Sequence, residues 1–414
     1  MVRKLANDCF ALPPGVDWTP VDEALARLKE RLDCVAATAS MPLLSAAGHV
    51  LADPIYAARP HPAHHNAAVD GYAIRLSHGG KQSYRLLEHV AAAGRPADVI
   101  VKEGEAVRIL TGALLPDGAD TVVLQEESTV ESGFVKFDAM PKLGANSRPV
   151  GEDTKQGALV LSAGTLLDER AVAHAVSTGI ADVHVYRPLR VGVLSTGDEV
   201  VPIGQFAEPH QVFDANAPML AGLLVRWGYT LVDLGHIPDN ANLVKQTLRL
   251  GVDKCDAILT SGGASAGDED HIASVLRSEA DLHTWRIAIK PGRPLALANW
   301  DGVPIFGLPG NPIAAYVCAL IFARPAFQIL QGRVPRNPQG YNLPAGFSKR
   351  KKAGRSEYPR AKVRSDGKVE LFGSEGSGRV SGLRWADGLV EFGHKGQQIN
   401  EGDFIRYIPF SSFD

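Results

Sequence analysis

From Arg190 onward the chain keeps a strand, loop, helix rhythm that few folds accommodate: "RVGVLST", "APMLAGLLVRWG", "LVDLGHI", "ANLVKQTLRL", "DAILTSG", "EDHIASVLRS", "WRIAIKPG" and "VPIFGLPGNP" follow in order. Apolar runs of strand length alternating with stretches of helical period predict a parallel sheet with helices on both faces, over roughly residues 189–330. The apolar run "IAAYVCALIFA" that closes this region, Ile313 to Ala323, ends in Arg324 and Pro325. It falls well short of the roughly 20 residues a membrane span needs and reads as a buried helix.

The flanks read differently. "TPVDEALARLKERLDCV" places Thr19 as an N-cap, Pro20 at the first helical position, and Val21, Ala24, Leu25, Leu28 and Leu32 on one face of a helix. Between Val50 and Leu161, short apolar runs broken by Gly, Pro and Asp predict a β-rich module. "DERAVAHAVSTG" then predicts a helix capped by Asp168 and stopped by Gly179. Beyond "QGRVPRNPQG" the short strands return at barrel-like spacing, so a small C-terminal β domain is expected. The fold class is multidomain α/β plus β, with a central doubly wound α/β unit. A chain of 414 residues suits two to four such domains.

Charge narrows the function. Lys and Arg number 43 against 46 Asp and Glu, for a formal net charge of -3, and no basic block is dense enough to track a phosphate backbone. Nucleic acid is thereby excluded as the main partner. Cys9, Cys34, Cys255 and Cys318 show no CxxC spacing, which argues against a disulfide framework and a structural zinc site and fits a reducing cytoplasm. The opening "MVRKLANDCFALPPG" has no apolar core of the kind a secretory signal carries. No membrane association is expected.

In an open parallel sheet, ligands bind beyond the carboxyl ends of the strands, where loops and helix N-termini converge. Those loops read "STGDE" (Ser195 to Glu199, with Thr196), "HIPDN" (His236 to Asn240), "SGGASAGDED" (Ser261 to Asp270), "KPGRP" (Lys290 to Pro294) and "LPGNP" (Leu308 to Pro312). In the third, Gly262, Gly263 and Gly267 let backbone approach an anion while Ser261 and Ser265 offer hydroxyls. The same residues suit a tight turn with Asp268 or Asp270 as a helix cap. "LPGNP", with Pro309, Gly310 and Asn311, equally suits a plain cap in which Asn311 precedes Pro312. What favours a site is company: Glu199, Asp239 and Asp270 at three strand ends, with Arg286, Lys290 and Arg293 following. Carboxylates bring a divalent cation and bases hold phosphate or oxyanion, the combination phosphoryl or adenylyl chemistry requires.

Taken in order, "VDGYA", "GEAVRILTGALLPDGADTVV", "SRPVGEDTKQG", "RVGVLSTGDEV", "SGGASAGDED", "IKPGRP" and "GLPGNP" closely resemble the MoeA family of molybdopterin molybdenumtransferases, which includes the E domain of gephyrin. The resemblance covers nearly the whole chain. It implies insertion of molybdenum from molybdate into adenylylated molybdopterin, with Mg²⁺ assistance and release of AMP. It also implies four domains: a discontinuous N-terminal helical and linker domain at 1–60 and 150–188, a β-rich domain at 61–149 that reaches the partner subunit, the α/β molybdopterin-binding domain at 189–330, and a C-terminal β-barrel domain at 331–414.

Site residues carry over by position. Glu199, Asp239 and Asp270 would form the acidic, metal-binding part, and Arg286 and Lys290 the basic part, with Arg286 standing where Lys is expected. Thr111 in "LTGA" and Asp153 in "GED" would approach from the second domain of the other subunit, so a homodimer with composite sites is implied. Arg360 in "EYPR" and Ser377 in "EGSG" match positions near the substrate. Transient contact with an adenylyltransferase and with client molybdoenzymes would accompany this role. Alternative readings are the adenylyltransferase step itself, a cofactor carrier or scaffold, and a diverged paralogue that handles tungstate.

One stretch departs from the family pattern. Bacterial members usually read Asp-Asn-Ser-Ala-Met-Asp-Gly where this chain has His65, Asn66, Ala67, Ala68, Val69, Asp70 and Gly71. Adjacent His64 and His65 in an extended segment point to opposite sides and do not share a metal. Asp70 reads as a structural turn residue near the site.

Overall fold

The computed structural model describes residues 18–76, 80–81, 83–262, 271–292 and 294–414. Its central sheet comprises β1 (Arg190–Thr196), β2 (Thr230–Ile237), β3 (Ala257–Ser261), β4 (Asp281–Arg286), β5 (Pro294–Trp300) and β6 (Val303–Leu308), in spatial order β2-β1-β3-β6-β5-β4. β1 runs parallel to β2 and β3, and β3 to β6. β5 pairs antiparallel with both β6 and β4, so the sheet is mixed at one edge and the expectation of a purely parallel sheet is corrected there. The cause is local. Trp300 pairs with Val303 across Asp301-Gly302, whose φ values of 53° and 89° give the twist of a two-residue hairpin, and a hairpin makes its strands antiparallel.

Helices α1 (Asn216–Arg226), α2 (Ala241–Lys254), α3 (His271–Glu279) and α4 (Pro312–Cys318) return the chain between strands or leave β6. Alternation along each strand fills two cores. Leu259 and Phe306 join Leu220, Leu224 and Phe327 on one face, and their neighbours Ile258 and Ile305 join Val244, Leu248, Ile272 and Leu276 on the other. Both faces are covered, as the doubly wound expectation requires.

The buried helix extends further than its apolar run suggested. α4 passes through a π-helical stretch, Ala319–Ala323, into α5 (Arg324–Leu330). Pro325 lacks the N–H that an α-helix would use, and the widened turns ahead of it let the helix continue instead of stopping. By length and composition Pro312–Leu330 could cross a membrane, but 83% of its apolar window is buried inside the protein.

The first helix, Val21–Arg31, buries Val21, Ala24 and Leu28 as its spacing predicts, but Thr19 does not cap it. Thr19 instead exchanges backbone hydrogen bonds with Arg286 and Ala288, at 2.9 Å each, because the segment is docked as a strand against the end of β4. Val21, Ala24, Leu28 and Leu32 thereby enter the α/β core with Leu330 and Ile287. A separate small core gathers Leu43, Leu51, Ile55, Val160, Leu167 and Val185 around helix Glu169–Ser177. Asp168 caps that helix, accepting from the Ala171 N–H at 2.9 Å, and Gly179 follows it at φ 84°.

The β-rich module holds a six-stranded sheet in the spatial order Thr121–Leu124, Gly71–Ile74, Glu105–Ile109, Ser83–Ala91, Phe134–Phe137, Ser128–Glu131. At the C-terminus five antiparallel strands run from Tyr341–Pro344 at one edge to Val369–Leu371 at the other. The edges meet where Ala345 bridges Val369 and the Gly346 N–H donates to the Val369 carbonyl at 2.7 Å, closing the expected small barrel.

Candidate active site

The carboxyl edge of the parallel strands forms a cleft of about 610 Å³. Ser195, Thr196 and Glu199 enter from β1, Ser261 and Gly262 from β3, Gly310 and Asn311 from the loop after β6, and Gly378 and Val380 from the barrel. Asn216, the first residue of α1, ties the loops together: its amide donates to Ser261 Oγ at 2.8 Å and to the Gly310 carbonyl at 2.7 Å. The Gly262 N–H donates to the Leu308 carbonyl at 3.1 Å. The buried oxygens Ser195 Oγ and Asn216 Oδ1 have no hydrogen-bond partner among the described residues. A buried polar atom left unpaired costs stability, and a polar ligand entering the cleft would offset that cost.

Gly197 explains the position of Glu199. At φ 133° it holds a backbone shape that side chains disfavour, and a Cβ there would stand 2.5 Å from Glu199 Oε2. The glycine therefore lets the carboxylate fold back over its own strand end. Asp239 is tied to Asp198, the residue before Glu199, and does not line the cleft. The Asp239 N–H donates to Asp198 Oδ1 at 3.1 Å and the Asp198 N–H to Asp239 Oδ2 at 3.3 Å, a reciprocal clasp between the loops after β1 and β2. Asn240 next to it is committed to capping α2. Asn311 occupies the N-cap position of α4 without making a side-chain cap bond, so the plain-cap alternative does not account for its side chain.

A second cleft, of about 320 Å³, opens between the α/β unit and the barrel. Lys290 lines it, with Lys349, Glu357, Arg360 and Glu375. Residues 289 and 290 pair with 356 and 357 as a short parallel ladder, which fixes Lys290 against the barrel. Lys290 and Lys349 both make ion pairs with Glu375, and each stands 3.8 Å from Glu357. Hydrogen bonds from Lys290 and then Lys349 hold the Glu375 carboxyl down at about 2. The loop at 373–380 separates the clefts, Glu375 lining one and Gly378 the other. It is stapled to α4 by the Ile313 N–H, which donates to the Ser377 carbonyl at 3.1 Å.

Arg360 lines this second cleft and is at the same time committed to backbone carbonyls. It is 4% exposed, and its guanidinium donates to the carbonyls of Arg379, Ser374 and Gly376 at 2.7, 2.7 and 3.1 Å while lying over the Phe372 ring. Those bonds shape the 373–380 loop. Arg286 is exposed at the outer strand and lines neither cleft. Pro309 packs near Gly292, where a Cβ would also meet Cys318 Sγ at 2.8 Å. Asp270, Gly263, Ser265, Gly267 and Arg293 lie outside the described residues.

Thr111 and Asp153 sit in the β-rich half and line neither of these clefts. Thr111 donates through both its N–H and its hydroxyl to Asp70 Oδ1, at 2.7 Å each, and these bonds lower the Asp70 pKa. Asp70 is thus the turn residue expected, with the added task of pinning Thr111. Asp153 lines a separate cleft of about 430 Å³ with His61, Asn66, Arg148 and Glu152. His64 and His65 are both exposed, and no group of three His, Cys, Asp or Glu is arranged to hold a metal among the described residues.

Sequence reasoning missed Asn216, Lys349 and Glu375. Asn216 carried a signal, since Asp214 accepts from the N–H groups of Asn216 and Ala217 and so marks a helix start at the strand edge. Lys349 stands in "SKRKK", where Lys349 and Lys351 point inward and Arg350 outward, an alternation legible as a strand. Nothing local singled out Glu375.

Comparison with known proteins decides the family. Residues 19–179 match the MoeA N-terminal region (domain I and II), 192–328 a probable molybdopterin binding domain, and 342–410 the MoeA C-terminal region (domain IV). A molybdopterin molybdenumtransferase of Haemophilus influenzae is 32% identical over 397 residues, covering 94% of this chain and 98% of that protein. The chain belongs to the MoeA family. A Nostoc molybdopterin molybdenumtransferase is also 32% identical, over 98% of this chain and 87% of its own length. The crystal structure of a molybdopterin biosynthesis MoeA protein from Pyrococcus horikoshii superposes with a TM-score of 0.81 at 26% identity, covering 95% of this chain and 100% of that one. Membership of this family places the chain in molybdenum cofactor biosynthesis.

Proposed function

We propose that this chain is a molybdopterin molybdenumtransferase, inserting molybdenum from molybdate into adenylylated molybdopterin and releasing AMP. The observation that carries this reading is the pair of clefts meeting at the 373–380 loop. One offers unpaired hydroxyl and amide oxygens and an exposed carboxylate, as a pterin phosphate and its cation require, and the other offers two ammonium groups, as an oxyanion requires.

The donor chemistry fits Mg²⁺. That ion takes one or two protein carboxylates, keeps several waters and completes its shell on substrate phosphates, so it needs no preformed cage of three acids. Glu199, Asp239 and Asp270 are the carboxylates from which one or two would hold it, and when bound it would draw charge from the phosphate oxygens as AMP departs. The chain's own residues do the rest. Thr196, Ser261, Gly262 and the Pro309 to Asn311 loop seat the adenylate and pterin, and the family resemblance assigns Gly263, Ser265, Gly267 and Arg293 to the same ligands. Lys290 holds the oxyanion, Arg360 and Ser377 set the loop between the two ligands, and Arg286 contributes charge from the strand edge.

Thr111 and Asp153 complete the site from the second copy of a homodimer, which explains why neither reaches the clefts of its own chain. The four-part division, cytoplasmic location and passing contacts with an adenylyltransferase and client enzymes belong to the same proposal. Its test is AMP release from molybdopterin adenylate, molybdate and Mg²⁺. Wild-type protein should release AMP, and Glu199→Ala should do so roughly 10²- to 10³-fold more slowly. Equal rates would sink the assignment, and conversion of ATP and free molybdopterin to the adenylate would mark the protein as an adenylyltransferase instead.

A further inference from the structure

The interdomain cleft already contains an anion, and it is part of the chain. Lys290 Nζ meets Glu375 Oε2 and Lys349 Nζ meets Glu375 Oε1, so each carboxylate oxygen faces one ammonium group. One edge of a tetrahedral dianion presents the same two acceptors. Glu357, the other acid beside these lysines, stands 3.8 Å from both and is largely buried. Glu375 differs from it in freedom. Its side chain is 52% exposed, whereas that of Glu357 is 13% exposed. Arg360 pins the backbone on either side of it, through the carbonyls of Ser374 and Gly376. The loop is therefore fixed while the Glu375 side chain can swing into water.

Resting on the oxyanion reading of this cleft, we propose that Glu375 is an internal counter-anion: its carboxylate occupies the place between Lys290 and Lys349, and molybdate binds by displacing it, so this residue sets the cleft's affinity for its anion. Two cations and two carboxylates give a quartet with no net charge while Glu375 is in place. A dianion brings twice the charge of the Glu375 carboxylate to the two lysines, leaving the cluster one charge negative beside Glu357, whereas a monoanion such as chloride brings no more charge than the carboxylate it must displace. The cleft is thus held against ordinary anions. The apparent affinity for molybdate is then the intrinsic affinity scaled down by the fraction of molecules in which Glu375 has swung away.

The test is equilibrium dialysis of the full chain against molybdate alone, with wild type, Glu375→Gln and Glu375→Ala, each shown by its melting curve to be folded. Both variants should bind molybdate about tenfold more tightly than wild type. Unchanged affinity in both overturns the proposal. Weaker affinity overturns it too, since Glu375 would then be organising the lysines instead of competing for them, and so does absence of binding in all three proteins. AMP release judges the transferase reading separately. A chain that releases AMP but whose variants do not tighten loses only the counter-anion, and one whose variants tighten without AMP release loses only the transferase.

Discussion

In the strand-edge cleft Ser195 and Asn216 leave buried oxygens unpaired and Glu199 stands exposed, whereas in the interdomain cleft Lys290 and Lys349 are already neutralised by Glu375 and approached by Glu357. The first is held in a shape that suits a ligand before the ligand arrives. The second satisfies itself and must be opened. The difference follows from what builds each. Strand-end loops of a rigid sheet carry the first, so its groups are positioned by backbone geometry at Gly197, Gly262 and the Asn216 amide. Side chains from two folding units carry the second, so its groups choose their own partners.

The comparison breaks first at Gly197. Gly197→Ala forces a Cβ onto the Glu199 carboxylate and strains a φ of 133°, costing about 1–3 kcal/mol of stability. Displacement of Glu199 by even an ångström should slow AMP release roughly 10²-fold. Molybdate binding in the other cleft should be untouched, because its groups come from Lys290 and the barrel. Loss of both together, in paired AMP-release and dialysis measurements, would show that the clefts are one site with one geometry.

Arg360 tests the opposite side with a smaller effect. Arg360→Lys keeps a charge but loses the planar fork that serves three carbonyls, leaving at least one of them unpaired in a buried place. The expected cost is about 1–3 kcal/mol, read as a lowered melting temperature. The loop that sets Glu375 between its lysines should loosen with it, so molybdate affinity should change while the Glu199 side keeps its arrangement. A lysine that leaves both stability and molybdate affinity unaltered would remove Arg360 from the description of this cleft.

These two clefts were unequally legible in the sequence, for a physical reason. Turn chemistry is local: Gly197, Gly262 and the LPGN loop announce a strand end from a few residues, and the alternation around them names the sheet they belong to. Even the antiparallel edge was written locally, in Asp301-Gly302 between two apolar runs. Nothing comparable joins Lys290 to Glu375, 85 residues away, or Lys349 to Glu375, 26 away. Arg360 shows the same gap. Its motif marked it as close to the substrate, but its three carbonyl partners on a loop 14 to 19 residues further on could be found only by folding the chain.

The smallest expected effect concerns what Glu375 does for the fold as opposed to the ligand. Its carboxyl is held at about 2, below the ordinary 4.5, so the ion pairs stabilise the native state fully above the ordinary value. That stabilisation fades as pH falls through the interval between 4.5 and about 2, because the unfolded carboxylate takes up its proton first. With half the side chain in water, the contribution is below about 1 kcal/mol. Wild type should therefore melt slightly above Glu375→Gln near pH 6, and the gap should close as pH approaches about 2.5. A gap that stays constant over this range would mean that Gln lowers stability by packing, not by charge. A gap that closes, beside tighter molybdate binding by the same variant, would show one carboxylate stabilising the empty protein and opposing its ligand through the same two lysines.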